Sequence, residues 1–331
     1  LLFGASTLLI IERAEASGQS AGTAHFARMA TLALFGLLHG FLIWSGDILF
    51  SYAVVGLLLF FWRHASIPHL CIGAAVALIL LLVISAPLLA VGLSHDALAL
   101  RAYADLLQAF TPTAPETMAQ LTLYRGGYAA ILHDRLMVNG LDSLLNAVVF
   151  LPETLAQMLI GMALFRAGML RGRWSLTRLA RWRKAAMAVG LIGNGALLVW
   201  QWHSGVDAWV VVSSSLVWSV PFDMAMALGW AAAFMGLAQR YGGAALIARI
   251  AAAGRAAFTN YLGTSLVMTS LFYGYGLGLY GHLGRIELWL VVLAAWLVML
   301  GWSQPWLARY RYGPLEWLWR SMARGQWQPM R

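Results

Sequence analysis

The residues of this chain best suited to chemistry are one histidine and three carboxylates set in apolar surroundings. Leu38-His39-Gly40 closes one apolar run, and Trp44-Ser45-Gly46-Asp47-Ile48-Leu49 opens the next. A tight turn between two helices would bring His39 and Asp47 together, and a carboxylate that orients an imidazole can make it a general base. The same residues admit an architectural reading, in which Asp47 caps the second helix and Gly36 and Gly40 form a G-x-x-x-G packing stripe. Glu153 and Asp223 each follow a proline, in Leu151-Pro152-Glu153 and Val220-Pro221-Phe222-Asp223. Proline and an acid in the first turn are ordinary helix-start chemistry. An ionisable group inside a membrane segment, however, costs about 2.5 kcal/mol or more at a helix centre and is a functional candidate by default. In Gly254-Arg255-Ala256-Ala257-Phe258-Thr259-Asn260-Tyr261, Arg255 reads as a basic anchor at the start of a span. Asn260, about one turn deeper, must face the bundle or a wet cavity. Gly276, Gly278 and Gly281 match a nucleotide-binding glycine pattern literally, but no strand precedes them and the match is discarded.

The elements that must hold these residues follow from composition. The chain has 331 residues, of which 61% are apolar and 11% charged, against roughly 45–50% and about 25% in soluble domains. This excludes an ordinary soluble enzyme, a disordered chain and a disulfide scaffold. The one cysteine, Cys71, excludes a Cys-rich metal site, and no metal is expected. Apolar segments at about Met29–Trp44, Ile48–Trp62, Leu70–Gly92, Leu144–Ala167, Ala185–Trp202, Val210–Leu237, Ala256–Tyr273 and Ile286–Leu307 predict an all-α, polytopic transmembrane bundle with about eight complete spans. The opening stretch Leu1–Ile11 would rise about 16 Å as a helix, short of the ~30 Å hydrocarbon core. It is expected to be the end of a helix that starts upstream. The Val210–Leu237 segment carries Ser213–Ser215 and Pro221 and is expected to break there.

Charge orients the bundle. If every segment crosses, one side receives 18 of the 22 Lys and Arg, and the other only Arg101, Arg125, Arg135 and Arg285. The positive-inside rule makes the first side cytoplasmic, so the net charge of +9 is a topology signal and nucleic acid is not an expected partner. The basic cluster at Arg171, Arg173, Arg178, Arg181, Arg183 and Lys184 reads the same way, as topological and lipid-contacting. One long loop, residues 93–143, falls outside. Pro112, Pro115 and Gly126–Gly127 interrupt it, and Tyr103, Leu106, Leu107, Phe110, Leu121 and Tyr124 favour a folded cap. The bundle thus occupies 1–308 and a cytoplasmic tail 309–331, in which Pro314–Met322 reads as an interfacial helix.

Taken together these residues resemble the YeiB-like family of bacterial integral membrane proteins. The resemblance rests on Leu2-Phe3-Gly4-Ala5, on Leu38-His39-Gly40 with Gly46-Asp47-Ile48-Leu49, and on Gly254-Arg255 with Thr259-Asn260-Tyr261. It continues through Phe272-Tyr273-Gly274, then Tyr312-Gly313-Pro314-Leu315-Glu316-Trp317-Leu318-Trp319-Arg320, to Gln328-Pro329. Its members usually carry one more helix in front, which implies about ten helices in a complete chain. The family looks like a distant branch of the transmembrane acyltransferases. The resemblance therefore implies a bacterial inner-membrane protein that passes an acyl group from cytoplasmic acyl-CoA to a hydroxyl or amine of a glycan, sugar or lipid at the outer face. Under it His39, Asp47 and Glu153 are the catalytic candidates, with Glu153 orienting the acceptor. Arg255, Asn260 and Tyr261 would hold the acyl-CoA, and Asp223 would contact substrate. Expected partners are membrane lipids and a glycan or lipid-linked acceptor, with a homodimer as the assembly to test. Two other classes stay open: a transporter or flippase using the same intramembrane polar residues, and a non-catalytic membrane partner protein.

Overall fold

The computed structural model describes residues 1–92, 101–104, 107, 114–140 and 148–331. Residues 93–100, 105–106, 108–113 and 141–147, among them Asp105, Leu106, Phe110 and Pro112, lie outside the described residues. Regular structure among the described residues is helical, without a strand. The elements are α1 (Leu2–Ala16), α2 (Ala21–Leu42), α3 (Leu49–Leu59), α4 (Ile67–Ile84), α5 (Ala86–Val91), α6 (Pro115–Arg125), α7 (Tyr128–His133) and α8 (Leu151–Arg166). They continue with α9 (Leu176–His203), α10 (Ala208–Ser213), α11 (Val220–Tyr241), α12 (Ala245–Arg255), α13 (Ala257–Phe272), α14 (Arg285–Arg309) and α15 (Pro314–Arg324).

Local chemistry sets the helix starts. Ser20, Ser175 and Asp207 accept from the backbone amides of Thr23, Arg178 and Val210, capping α2, α9 and α10. Pro152 and Pro314 occupy the first turns of α8 and α15, where no amide hydrogen is needed. The expected break before Pro221 takes the form of a widened turn. After α10 the chain makes a π-helical turn at Ser214–Trp218, and the Ser219 amide donates to the carbonyl of Ser214, five residues back, at 2.8 Å. Pro221 has no amide hydrogen and crowds the carbonyl four residues before it, so the regular ladder cannot run through this point.

Each of the eight apolar segments carries a helix. Five of these, α2, α4, α9, α11 and α14, are long and apolar enough to cross a membrane. The other three segments carry α3, of 11 residues, and α8 and α13, of 16 residues each, so the count of eight complete spans rests on helices shorter than the usual ~20 residues. The long helices turn small residues inward and large ones outward. On α4, Gly73, Ala74 and Ala77 are buried between Leu70 and Leu81, while Ile72, Val76, Ile79 and Val83 are exposed. On α9, Leu191, Ile192, Leu198 and Val199 are exposed, and on α14 Ile286, Leu290, Leu297 and Val298. A helix face this apolar and this uncovered is stable against lipid and not against water. The chain is a helical membrane protein.

Contacts divide the chain into two units. The first comprises Leu1–Ile10, Leu58–Met118 and Val149–Arg240. In it α8 lies along α4, and glycines let backbones meet. A Cβ on Gly4 would stand 2.0 Å from the Met158 carbonyl, and one on Gly161 would stand 1.9 Å from that of Leu1.

The second unit comprises Ile11–Leu57, Ala119–Val148 and Tyr241–Arg331. Here α15 packs on α2, and α12 packs on α14. Trp319 of α15 donates to Thr31 Oγ1 at 3.0 Å and lies under the Arg28 guanidinium. Phe258 at the start of α13 stacks edge-on against Phe35 of α2 and touches Trp319. Glu316 is buried beneath this contact: Oε1 accepts from the Phe258 and Thr259 amides at 2.7 and 3.0 Å, and Oε2 from Thr259 Oγ1 at 2.5 Å. A carboxylate on the free amides of a helix start satisfies both the hydrogen-bonding groups and the helix dipole. The tail, whose composition reads as an interfacial helix, thus caps α13 through Glu316.

Candidate functional site

The His39–Asp47 pair forms as the hairpin spacing predicts, with Asp47 filling both of its alternative roles. His39 Nδ1 and Asp47 Oδ1 stand 2.7 Å apart, and Asp47 Oδ2 accepts from the Phe50 amide at 2.8 Å. One carboxylate oxygen orients the imidazole and the other caps α3. Gly36 and Gly40 make the room: Gly36 faces the Phe50 backbone and Asp47 Oδ2, and Gly40 faces the Asp47 Cβ. His39 is 1% exposed and the Asp47 side chain 6%. With the carboxylate as acceptor, Nδ1 carries the hydrogen, and Nε2 of a neutral ring keeps its lone pair. Nε2 is buried and has no hydrogen-bond partner among the described residues. A buried polar atom with no partner costs about 1–3 kcal/mol, and one that persists is a mark of function.

The imidazole is walled by Trp44 and Tyr261, at ring-centroid distances of 6.2 and 5.2 Å. The Tyr261 hydroxyl accepts from the Ile48 amide at 3.3 Å and lies beside the Asp47 carboxylate. Asn260 is buried and fully engaged. Its Nδ2 donates to the Ala253 carbonyl at 3.0 Å and to Ser303 Oγ at 3.4 Å, and its Oδ1 accepts from Trp302 Nε1 at 2.9 Å. It joins α12, α13 and α14, as a polar residue in lipid must. Arg255 ends α12 and is exposed. The helix breaks at Ala256 before α13 begins, and among the described residues no contact joins Arg255 to the histidine wall.

Glu153 and Asp223 belong to the first unit. Glu153 is half-buried and accepts from Gln157 at 2.8 Å, and it feels the charge of Asp223. Asp223 accepts from Asn194 Nδ2 at 3.0 Å and lines a polar cavity of about 370 Å³ with Gln201, Ser214, Ser215 and Ser219. The π-helical turn supplies two of these serines, and sequence periodicity alone does not reveal such a turn.

A second cavity, of about 490 Å³, lies in the unit that holds the histidine. Trp44, Thr264, Met268, Phe272, Tyr273, Tyr280 and Leu288 are among its walls. Tyr280 lies outside the spans, where burial and the nearby Tyr124 hydroxyl push its phenol above the ordinary range. Arg135, behind Tyr273, is 4% exposed. The sequence reading gave it no role, although an arginine on the poorly charged side of the chain was a signal. Among the described residues no three His, Cys, Asp or Glu side chains converge to hold a metal.

Residues 164–326 match the family described as "Protein of unknown function (DUF418)". The chain is 33% identical over 332 residues to "Uncharacterized protein YeiB" of Escherichia coli (strain K12), covering 97% of this chain and 79% of that protein. It is 32% identical over 343 residues to "Uncharacterized protein YxaH" of Bacillus subtilis (strain 168), covering 99% and 79%. An "Uncharacterized 39.9 kDa protein in amylase 3'region" of Bacillus acidopullulyticus is 27% identical over 335 residues, covering 97% and 77%. No solved structure matches. With two relatives above 30% identity along almost the whole chain, the chain belongs to the YeiB-like family of bacterial proteins.

Proposed function

We propose that the chain is an inner-membrane acyltransferase with the C-terminus in the cytoplasm, and that His39 is its general base. The observation that carries this reading is the buried imidazole, hydrogen-bonded through Nδ1 to Asp47 and with Nε2 unpartnered among the described residues. In the reaction, Nε2 takes the proton of an acceptor hydroxyl or amine as that atom attacks the thioester carbonyl of acyl-CoA. The new C–O or C–N bond forms, the C–S bond breaks, and the departing thiolate takes the proton back from the imidazolium. Asp47 favours the tautomer that exposes the Nε2 lone pair and stabilises the cation. Arg255, exposed at the end of α12, would pair with CoA phosphates by charge-assisted hydrogen bonds. Asn260 and Tyr261 would line the path between arginine and histidine.

The test uses the full-length protein in detergent. Acetyl-CoA should raise its melting temperature as RT ln(1 + [L]/Kd) requires. Membranes holding the protein should release CoA thiol from acetyl-CoA in a His39-dependent manner. Absence of both effects at millimolar acyl-CoA would overturn the reading. The polar cavity around Asp223 favours a second one, a transporter or flippase that binds its solute between Asn194, Gln201 and the serines. In that case Asp223→Asn abolishes the phenotype and His39→Gln does not.

A further inference from the structure

The polar cavity of about 370 Å³ in the first unit lies halfway along a helix long enough to cross a membrane. Asn194, one of its walls, stands nine residues from Ala185 and eight from Trp202 in the apolar part of α9, about 13 and 12 Å of helical rise. Small residues fix what meets it there. A Cβ on Gly190 would stand 2.9 Å from the Phe222 carbonyl oxygen, and one on Gly193 would stand 2.1 Å from the Phe222 ring. α11 therefore lies against α9 in the register that joins Asp223 to Asn194. The widened turn at Ser214–Trp218 brings Ser214 to Gln201, seven residues or about 10 Å further along α9.

The hydrogen bonds among these walls decide which atoms are left for a ligand. An ionised Asp223 can only accept, so Asn194 gives it an Nδ2 hydrogen, at 3.0 Å, and keeps Oδ1. Ser214 uses its own hydrogen on the Val210 carbonyl, so Gln201 must donate to it, at 2.7 Å, and keeps Oε1. Ser219 uses its hydrogen on the Ser215 carbonyl, at 3.0 Å. Asn194 Oδ1, Gln201 Oε1 and one Asp223 oxygen thus accept nothing among the described residues, and each amide keeps a second N–H. All 22 Lys and Arg are described residues, and neither Asp223 nor the nearby Glu153 pairs with one. A carboxylate this deep in a span persists where a cation or a wet path meets it.

We infer that this cavity binds a small, free primary amine carrying several hydroxyl groups, with its ammonium on Asp223 and its hydroxyls on the amide ends of Asn194 and Gln201. The volume is that of a small organic-ligand site and far exceeds what one metal ion fills. An ammonium has three donors and no acceptor, which suits a carboxylate beside a carbonyl oxygen, and its bond to the carboxylate is charge-assisted. A hydroxyl donates and accepts, as the end of an amide side chain does. As the solute of a transporter the amine rests on the second reading above. As a bound ligand it stands apart from that reading and from His39, which belongs to the other unit.

The full-length protein in phosphatidylcholine nanodiscs is titrated by calorimetry at neutral pH with 1-amino-1-deoxysorbitol. The controls are sorbitol, which has a hydroxyl in place of the ammonium, and tetramethylammonium, which has the charge without an N–H. The amine should bind at least tenfold more tightly than either. Asp223→Asn should abolish its advantage over sorbitol, and Gln201→Leu should weaken binding several-fold. Leu198→Trp, at an exposed wall of the cavity, should block binding in a protein whose Asp223 is intact, and His39→Gln should bind normally. Absence of binding at millimolar amine, equal binding of sorbitol, or full binding by Asp223→Asn would overturn the assignment. If the Asp223 variant does not fold, full binding by both Gln201→Leu and Leu198→Trp would do so. A matching saturable response to sodium chloride would overturn the amine in favour of a metal ion, and competition by phosphatidylethanolamine would overturn the free ligand in favour of a headgroup. Binding that persists while proteoliposomes take up no labelled amine supports the site and overturns the transport reading alone.

Discussion

Gly36 stands so close to Phe50 that a Cβ on it would lie 2.4 Å from the Phe50 amide nitrogen, whereas a Cβ on Gly40, one turn on, would meet only the Asp47 Cβ at 3.5 Å. The two glycines of the G-x-x-x-G stripe are therefore not equivalent. Gly36→Ala must push α3 away from α2 and should cost about 1–3 kcal/mol as an overpacked contact, while Gly40→Ala makes an ordinary contact and should be near neutral. Thermal unfolding of the two variants in one detergent compares them directly. Equal losses would mean that the stripe is not what seats the hairpin.

Asp47 serves the imidazole with one oxygen and the α3 amide with the other, so its substitutions should separate architecture from chemistry. Asn retains an acceptor for the Phe50 amide but turns an amide donor toward Nδ1, which then must accept, and the hydrogen moves to Nε2. Asp47→Asn should fold to within about 1 kcal/mol of the parent and lose activity. Asp47→Ala should lose about 0.5–2 kcal/mol from the missing cap. The His39→Gln, Asp47→Asn double variant should be little worse than either single one, because the pair acts as a unit. A fully active Asp47→Asn protein would reduce Asp47 to a cap.

Glu316 reaches α13 from the C-terminal tail, and the charge on it matters. Glu316→Gln keeps acceptor atoms but removes the anion from a helix start, a change of about 0.3–2 kcal/mol. Glu316→Ala leaves the Phe258 and Thr259 amides unmet and should cost about 1–3 kcal/mol. Hydrogen exchange at the first turn of α13 would report both, with the larger effect in the alanine variant. Unchanged protection in both would show that the tail is dispensable to α13.

The charge asymmetry predicts the orientation of the whole chain. A cysteine at position 115, in a Cys71→Ala background, should react with an impermeant maleimide from outside, and one at position 176 only after the cytoplasmic face is opened. Labelling of both from one side would end the orientation and the roles built on it.

The sequence by itself determined the helices, their rough places and the pairing of His39 with Asp47. These follow from local rules, since apolar runs of a given length become helices in lipid and a turn of a few residues leaves a hairpin little choice of neighbours. Pro152, Pro314 and the acids beside them were legible as helix starts for the same reason. Tertiary structure decided what depends on partners distant in the chain. Only the fold sets Glu316 on the amides of Phe258 and Thr259, 58 and 57 residues away, and makes the tail a cap. Only the fold lays Tyr261 against His39, because the depth at which α13 begins beside α2 is set by packing at Phe35 and Phe258 and not by hydropathy. Arg135 shows the limit most plainly. In the sequence it is one of four arginines on the sparsely charged side, and only the fold buries it against the Tyr273 ring.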